Sequence, residues 1–145
     1  MNLLFVCTGN SCRSQMAEAW ARKLANSILP ELDIVVCSAG LEAQGLNSRA
    51  VSAMRRQGID ISAQTSKLLT DDSLQEADLV VTVCSHADSH CPSLPMDKKK
   101  MHIPFPDPAK FEGCPGDIDS RFDDVCLQIK ESVGALLRQI ASEAS

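Results

Sequence analysis

The chain has 145 residues, 44% of them hydrophobic and 23% charged, with a net charge of −5. That length suits one domain, residues 1–145, able to bury roughly 68 to 70% of the surface its unfolded chain exposes, so it needs no metal or disulfide staple to fold. No apolar run approaches the ~20 residues of a membrane span, and the acidic balance gives no basic field to attract nucleic acid.

In chain order, Leu3 to Val6 is a short apolar run that stops at Gly9-Asn10, after which Met16, Ala17, Trp20, Leu24 and Ile28 recur at helical spacing. Strand, tight loop and helix are predicted. Asp33 to Cys37 reads as a second strand, followed by Ser38-Ala39-Gly40, and Ala50, Val51 and Met54 as a helix ending near Gly58. Ala77 to Val83 is the clearest strand and Met101 to Phe105 a fourth. The last helix runs through Phe122, Val125, Cys126, Ile129, Val133, Leu136, Leu137 and Ile140. The alternation predicts an α/β fold of three layers, a four-stranded parallel open sheet with helices on both faces. Lys98-Lys99-Lys100 reads as a solvated loop. Pro104, Pro106, Pro108 and Pro115, with Gly113 and Gly116, mark a stiff one.

Seven cysteines are an odd count for a secreted disulfide framework, and the start, Met1 to Val6, lacks the basic flank of a signal peptide and turns polar by Thr8. Reduced thiols in the cytoplasm are expected. Taken singly, each cysteine is a small buried hydrophobe, so only arrangement separates a reactive one from the rest. Cys126 on the last apolar stripe and Cys37 near a strand end read as packing. Cys12 is not at the attacking position of its loop, and Cys114 lies in an exposed loop. Trp20 and Met16 read as core.

The arrangement that stands out is Cys7-Thr8-Gly9-Asn10-Ser11-Cys12-Arg13-Ser14, directly after the first strand and opening the first helix. A parallel sheet binds ligands beyond the carboxyl ends of its strands, and a helix start offers unpaired N–H groups to an anion. Cysteine and arginine at this spacing let the thiol sit under a tetrahedral oxyanion while the guanidinium clamps its oxygens. The helix start and Arg13 should lower the Cys7 pKa, and the Ser14 hydroxyl is placed to hydrogen-bond its thiolate. Arsenate and phosphate fit such a cradle equally well.

Cys84-Ser85-His86-Ala87-Asp88-Ser89-His90-Cys91 separates those two chemistries. It follows the Ala77 to Val83 strand, whose carboxyl end shares an edge with Cys7 in a parallel sheet. Reduction of arsenic(V) to arsenic(III) takes two electrons, the number two thiols release on forming a disulfide, whereas phosphoryl transfer needs no second cysteine. Zinc binding by Cys84, His86, His90 and Cys91 is disfavoured, because on a helix the two histidines point away from the cysteines. No resident metal or cofactor is expected. Read alone, Asp107 is a turn aspartate.

Together with Ser38-Ala39-Gly40, Asp78 to Cys91 and Asp107-Pro108-Ala109, the stretch from Val6 to Glu18 resembles the thioredoxin-coupled arsenate reductases built on the low-molecular-weight tyrosine phosphatase fold. The resemblance implies a triple-cysteine cascade: Cys7 attacks arsenate, Cys84 attacks the adduct and releases arsenite, and Cys91 takes Cys84. Thioredoxin then reduces the Cys84/Cys91 disulfide. It implies oxyanion binding by Thr8, Gly9, Asn10, Ser11, Cys12, Arg13 and Ser14, with phosphate or sulfate as competitors, and Asp107 as general acid. A monomer serving arsenic detoxification is expected. The alternative is a low-molecular-weight tyrosine phosphatase with the same loop, disfavoured because the chain has no tyrosine and Ala109 stands where those phosphatases carry an aromatic residue. Some relatives bind potassium through residues matching Asn10, Glu18, Ser38 and an aspartate. Lys67 holds the aspartate's position here, and its ammonium is expected to pair with Glu18 and brace Asn10 in the cation's place.

Overall fold

The computed structural model describes residues 1–92, 94 and 98–144. Four strands form one parallel sheet in the order β2-β1-β3-β4: β1 (Asn2–Cys7), β2 (Val35–Gly40), β3 (Leu79–Thr82) and β4 (Lys99–His102). The two central strands are continuous apolar runs, Leu-Leu-Phe-Val-Cys and Leu-Val-Val, and they bury side chains pointing to either face. A strand buried on both sides needs helices on both sides. The helices are α1 (Arg13–Ile28), α2 (Ser48–Arg56), α3 (Asp71–Glu76), α4 (Ser85–His90) and α5 (Pro115–Ala144). The longest, α5, lies along α1 and also packs on α2.

Local chemistry fixes the helix starts. Asn47 caps α2 by accepting from the Arg49 and Ala50 amides, and Thr70 and Ser73 form a reciprocal capping box at α3. Because the strands are parallel, their carboxyl ends share one edge of the sheet. In register, Val6 stands opposite Thr82, and Thr82 opposite His102. The chain segments leaving β1, β3 and β4 therefore carry Cys7 to Arg13, Cys84 and Asp107 to the same place.

Several details differ from the sequence expectation. The second strand is displaced toward Gly40, and Cys37 is exposed rather than packed. β2 is an edge strand whose first half alternates exposed and buried, and Cys37 falls on the exposed phase. The fourth strand begins at Lys99, so Lys99 and Lys100 belong to a strand and not to a loop. An edge strand tolerates lysines because one side of it faces water, and they also deter pairing with another chain. The helix α3 went unforeseen because its six residues carry only one buried apolar side chain, Leu74. Pro115 and Gly116 belong to α5, since proline is well tolerated in a first helical turn. Met16, Trp20 and Cys126 are buried as expected, and Cys114 is exposed.

Candidate active site

The loop from Cys7 to Arg13 is built from behind. Segment 41–47 runs alongside it, with the amides of Leu41, Glu42, Gln44 and Asn47 donating to the carbonyls of Cys7, Thr8, Gly9 and Ser11 at 3.2, 2.8, 3.0 and 3.0 Å. With its carbonyls taken on that side, the loop is left to turn amides toward the Cys7 sulfur, and the Asn10 N–H donates to Sγ at 3.2 Å. Gly40 permits this close approach: a Cβ there would lie 2.7 Å from the Asn10 nitrogen and 2.9 Å from the Thr8 carbonyl oxygen. Asn10 takes φ +47°, the one non-glycine positive φ among the described residues. Asparagine is among the few side chains that tolerate this conformation.

The Asn10 side chain then orders a chain of donors ending at Cys7. The Lys67 backbone N–H and Gln15 Nε2 donate to Asn10 Oδ1 at 2.8 and 2.9 Å, which fixes the orientation of the amide. Asn10 Nδ2 must therefore donate, and it does so to Ser14 Oγ at 2.8 Å and Ser38 Oγ at 2.9 Å. With its oxygen accepting from Asn10, the Ser14 hydroxyl is free to donate its proton to Cys7 Sγ, 2.8 Å away. Ser38 correspondingly donates to Glu18 Oε1 at 3.0 Å. Asn10, Ser14, Gln15, Glu18 and Ser38 are all buried, so this polar network lies inside the core. Cys7 Sγ consequently accepts two hydrogen bonds, from the Asn10 amide and the Ser14 hydroxyl.

In front of the loop is a cavity of about 510 Å³ lined by Cys7, Thr8, Gly9, Ser11, Cys12 and Arg13, by Cys84 and His86, and by Phe105 and Asp107. The Arg13 guanidinium is held by the Phe105 carbonyl at 3.1 Å and by Asp107 Oδ2 at 3.5 Å. Its Nε is buried with no hydrogen-bond partner among the described residues, which leaves a donor for an oxyanion. Asp107 Oδ1 accepts from the Ala109 amide at 3.0 Å, which aims the carboxylate along the cavity wall. Burial, reinforced by Asp107, pushes the Cys12 thiol up to about 12, so Cys12 stays protonated beside the nucleophile position.

The second cysteine reaches the same cavity. Cys84 is buried, its sulfur 3.3 Å from Thr8 Oγ1, and it caps α4 by accepting from the Ala87 amide at 3.3 Å. Cys91 closes the other end of α4, half-buried and away from the cavity. Burial raises its pKa, with Lys100 opposing. Of the residues singled out in the sequence, Asn10 and Ser14 stand behind the loop rather than on the cavity wall, and Cys91 stands apart.

Lys67 differs from expectation in part. Its ammonium lies 3.8 Å from Glu18 Oε1 and donates to the Thr65 carbonyl at 2.7 Å, but Asn10 is braced by the Lys67 backbone N–H, not the ammonium. Arg22 adds a second cation, 3.4 Å from Glu18 Oε2. Sequence reasoning missed Gln15, Gln44, His86 and the Phe105 carbonyl. Gln15 reaches Gln64 and the Thr65 carbonyl across about fifty residues, and Gln44 and Phe105 act through backbone, so none leaves a spacing signal, while His86 enters only as part of the cavity wall. Among the described residues, no group of three or more His, Cys, Asp or Glu side chains is placed to hold a metal.

Residues 2–145 match the family of low molecular weight phosphotyrosine protein phosphatases. The chain belongs to this family. Within it, the chain is 45% identical to the arsenate reductase of Halalkalibacterium halodurans over 139 residues, 96% of this chain and 94% of that one. Among solved structures, an arsenate reductase in a phosphate-binding state is 31% identical with a TM-score of 0.69, covering 96% of this chain and 98% of that one. A low molecular weight protein tyrosine phosphatase from Bacillus subtilis is 25% identical with a TM-score of 0.80, and each chain covers the other completely. The family fold therefore spans reductases and phosphatases, and the fold alone does not separate them.

Proposed function

We propose that the protein reduces arsenate to arsenite through Cys7, Cys84 and Cys91 and is regenerated by thioredoxin. The observation that carries this reading is the Cys84 thiol, which lines the same cavity as Cys7. Hydrolysis of a phosphate ester has no use for a thiol brought to the loop from another strand.

In the proposed sequence, arsenate binds the loop amides and Arg13, where phosphate and sulfate compete. The Cys7 thiolate attacks arsenic, and an arsenic oxygen leaves as water after taking a proton from Asp107. Cys84 then attacks the Cys7 sulfur. The As–S bonding pair passes to arsenic, which departs as arsenite, and a Cys7–Cys84 disulfide remains. Cys91 attacks Cys84 and frees the Cys7 thiolate, and a thioredoxin dithiol reduces the Cys84–Cys91 disulfide. Two electrons reach arsenic and two are drawn from the thiols, so the sequence balances. The proposed setting is the cytoplasm, where thiols are kept reduced. Among the described residues, no helix is long and apolar enough to cross a membrane.

The test is steady-state turnover of reduced protein with arsenate and thioredoxin, beside hydrolysis of an aryl phosphate. Arsenate-dependent thioredoxin oxidation is expected to dominate. Cys7→Ser should abolish both reactions, while Cys84→Ser and Cys91→Ser should block arsenate turnover and leave slow hydrolysis. Efficient aryl-phosphate turnover without arsenate-dependent thioredoxin oxidation would favour the phosphatase.

A further inference from the structure

The short helix between Cys84 and Cys91 is tied to the sheet through one side chain. In α4, Ala87 is buried, whereas Ser85, His86, Ser89 and His90 are exposed. Asp88 reaches across to two strands: its Oδ1 accepts from Thr82 Oγ1 on β3 at 2.9 Å and pairs with Lys100 Nζ on β4 at 3.0 Å. The same ammonium donates to the Asp88 backbone carbonyl at 3.1 Å, and His102 Nδ1 stands 3.8 Å from Oδ1. The hydrogen bond from Lys100, then that from Thr82, lowers the Asp88 carboxyl below its ordinary value. One carboxylate thus joins the helix to β3 and β4 at the middle of the segment flanked by the two cysteines.

Helix and disulfide exclude each other here. Seven residues at ~1.5 Å rise separate the two alpha carbons by about 10 Å, whereas a disulfide tolerates about 7 Å. Any contact made by the helix and lost on unwinding therefore stabilises the dithiol relative to the disulfide by its full strength. We propose that Asp88 is a positioning residue that latches α4 to β3 and β4, seating Cys84 in the cavity while reduced and setting the reduction potential of the Cys84/Cys91 pair. This rests on the cascade proposed above. When the pair oxidises, the two sulfurs bond and two protons and two electrons leave. In a dithiothreitol redox buffer, oxidised dithiothreitol takes them.

Two consequences run in opposite directions. Weakening the latch favours the disulfide at equilibrium, yet it leaves Cys84 less well seated to attack the Cys7 adduct. A charge-assisted contact that is about one-third exposed supports a shift of about tenfold, which for this two-electron couple makes the potential about 30 mV more negative. Asp88→Asn keeps an acceptor for Thr82 and removes the charge facing Lys100. Lys100→Met removes the same ion pair from the edge strand, together with the ammonium's bond to the Asp88 carbonyl, without changing a residue of α4.

The experiment equilibrates wild type, Asp88→Asn, Lys100→Met and the double variant in dithiothreitol buffers and assigns disulfides by peptide mass spectrometry. Single-turnover arsenite release is measured beside it. The expected result is a wild-type Cys84–Cys91 disulfide whose equilibrium shifts about tenfold toward oxidation in each single variant and little further in the double, with slower arsenite release. A wild-type disulfide with unchanged potential in both variants, even with lowered melting temperatures, would overturn the latch and leave the cascade standing. Absence of any Cys84–Cys91 disulfide in wild type would instead overturn the cascade, and the latch with it.

Discussion

Changing Asn10 to alanine should cost about 4 kcal/mol of stability and most of the activity. The side chain makes four buried hydrogen bonds, accepting from the Lys67 amide and Gln15 and donating to Ser14 and Ser38. At roughly 1 kcal/mol net each, with non-additivity within one network, these are worth about 3 kcal/mol. Forcing alanine into φ +47° adds about 1 kcal/mol. Asn10→Gly, which accepts that φ without strain, should recover about 1 kcal/mol of the loss. Activity should fall in both variants, because Ser14 loses the donor that leaves its own proton directed at Cys7. Urea unfolding monitored by Trp20 fluorescence measures stability, and arsenite release measures activity. A loss under about 1 kcal/mol for Asn10→Ala, or full activity in either variant, would refute the role given to this network.

Three further outcomes follow from the same geometry. Cys12 is raised by burial from 9.0 to about 12, so its contribution to stability is complete below pH 9 and is lost as pH climbs from 9 toward 12, where the unfolded thiol ionises and the folded one does not. Between pH 8 and pH 10 wild type should lose about 1 kcal/mol more than Cys12→Ser in denaturant titrations, and equal losses would contradict the assignment. With Arg22 and Lys67 both beside Glu18, melting temperature and activity should be the same in potassium and in tetramethylammonium at equal ionic strength, whereas a potassium-specific gain would show that Lys67 does not replace a cation. Amide hydrogen exchange should lose protection between residues 84 and 91 on oxidation while Cys7 to Ser14 change less. A confirmed Cys84–Cys91 disulfide with unchanged protection would contradict unwinding.

The clustering of Cys7, Arg13, Cys84 and Asp107 around one cavity was legible where chemistry and chain order coincide. A buried apolar strand, Gly9-Asn10 and a helical repeat place Cys7 and Arg13 within a few residues of one another, and the parallel alternation predicts Cys84 on the same edge of the sheet. What stayed hidden is held at long range or by backbone. Asn10 meets Ser38 and Lys67 across 28 and 57 residues, and Lys67 acts through its amide, which no residue type encodes. Segment 41–47 supports the loop through amides as well. The exposure of Cys37 and the strand beginning at Lys99 depend on which strands form the edges, and strand order is set by packing of the whole sheet rather than by local pattern.

In the proposed cascade two electrons pass from thiols to arsenic, and a single-turnover measurement follows their path. Fully reduced protein is mixed with excess arsenate without thioredoxin, arsenite is quantified, and disulfides are mapped by mass spectrometry in wild type, Cys84→Ser and Cys91→Ser. The expected result is one arsenite per wild-type chain with a Cys84–Cys91 disulfide, one arsenite with a trapped Cys7–Cys84 disulfide in Cys91→Ser, and none in Cys84→Ser. Arsenite released at the wild-type rate by Cys84→Ser would contradict the cascade.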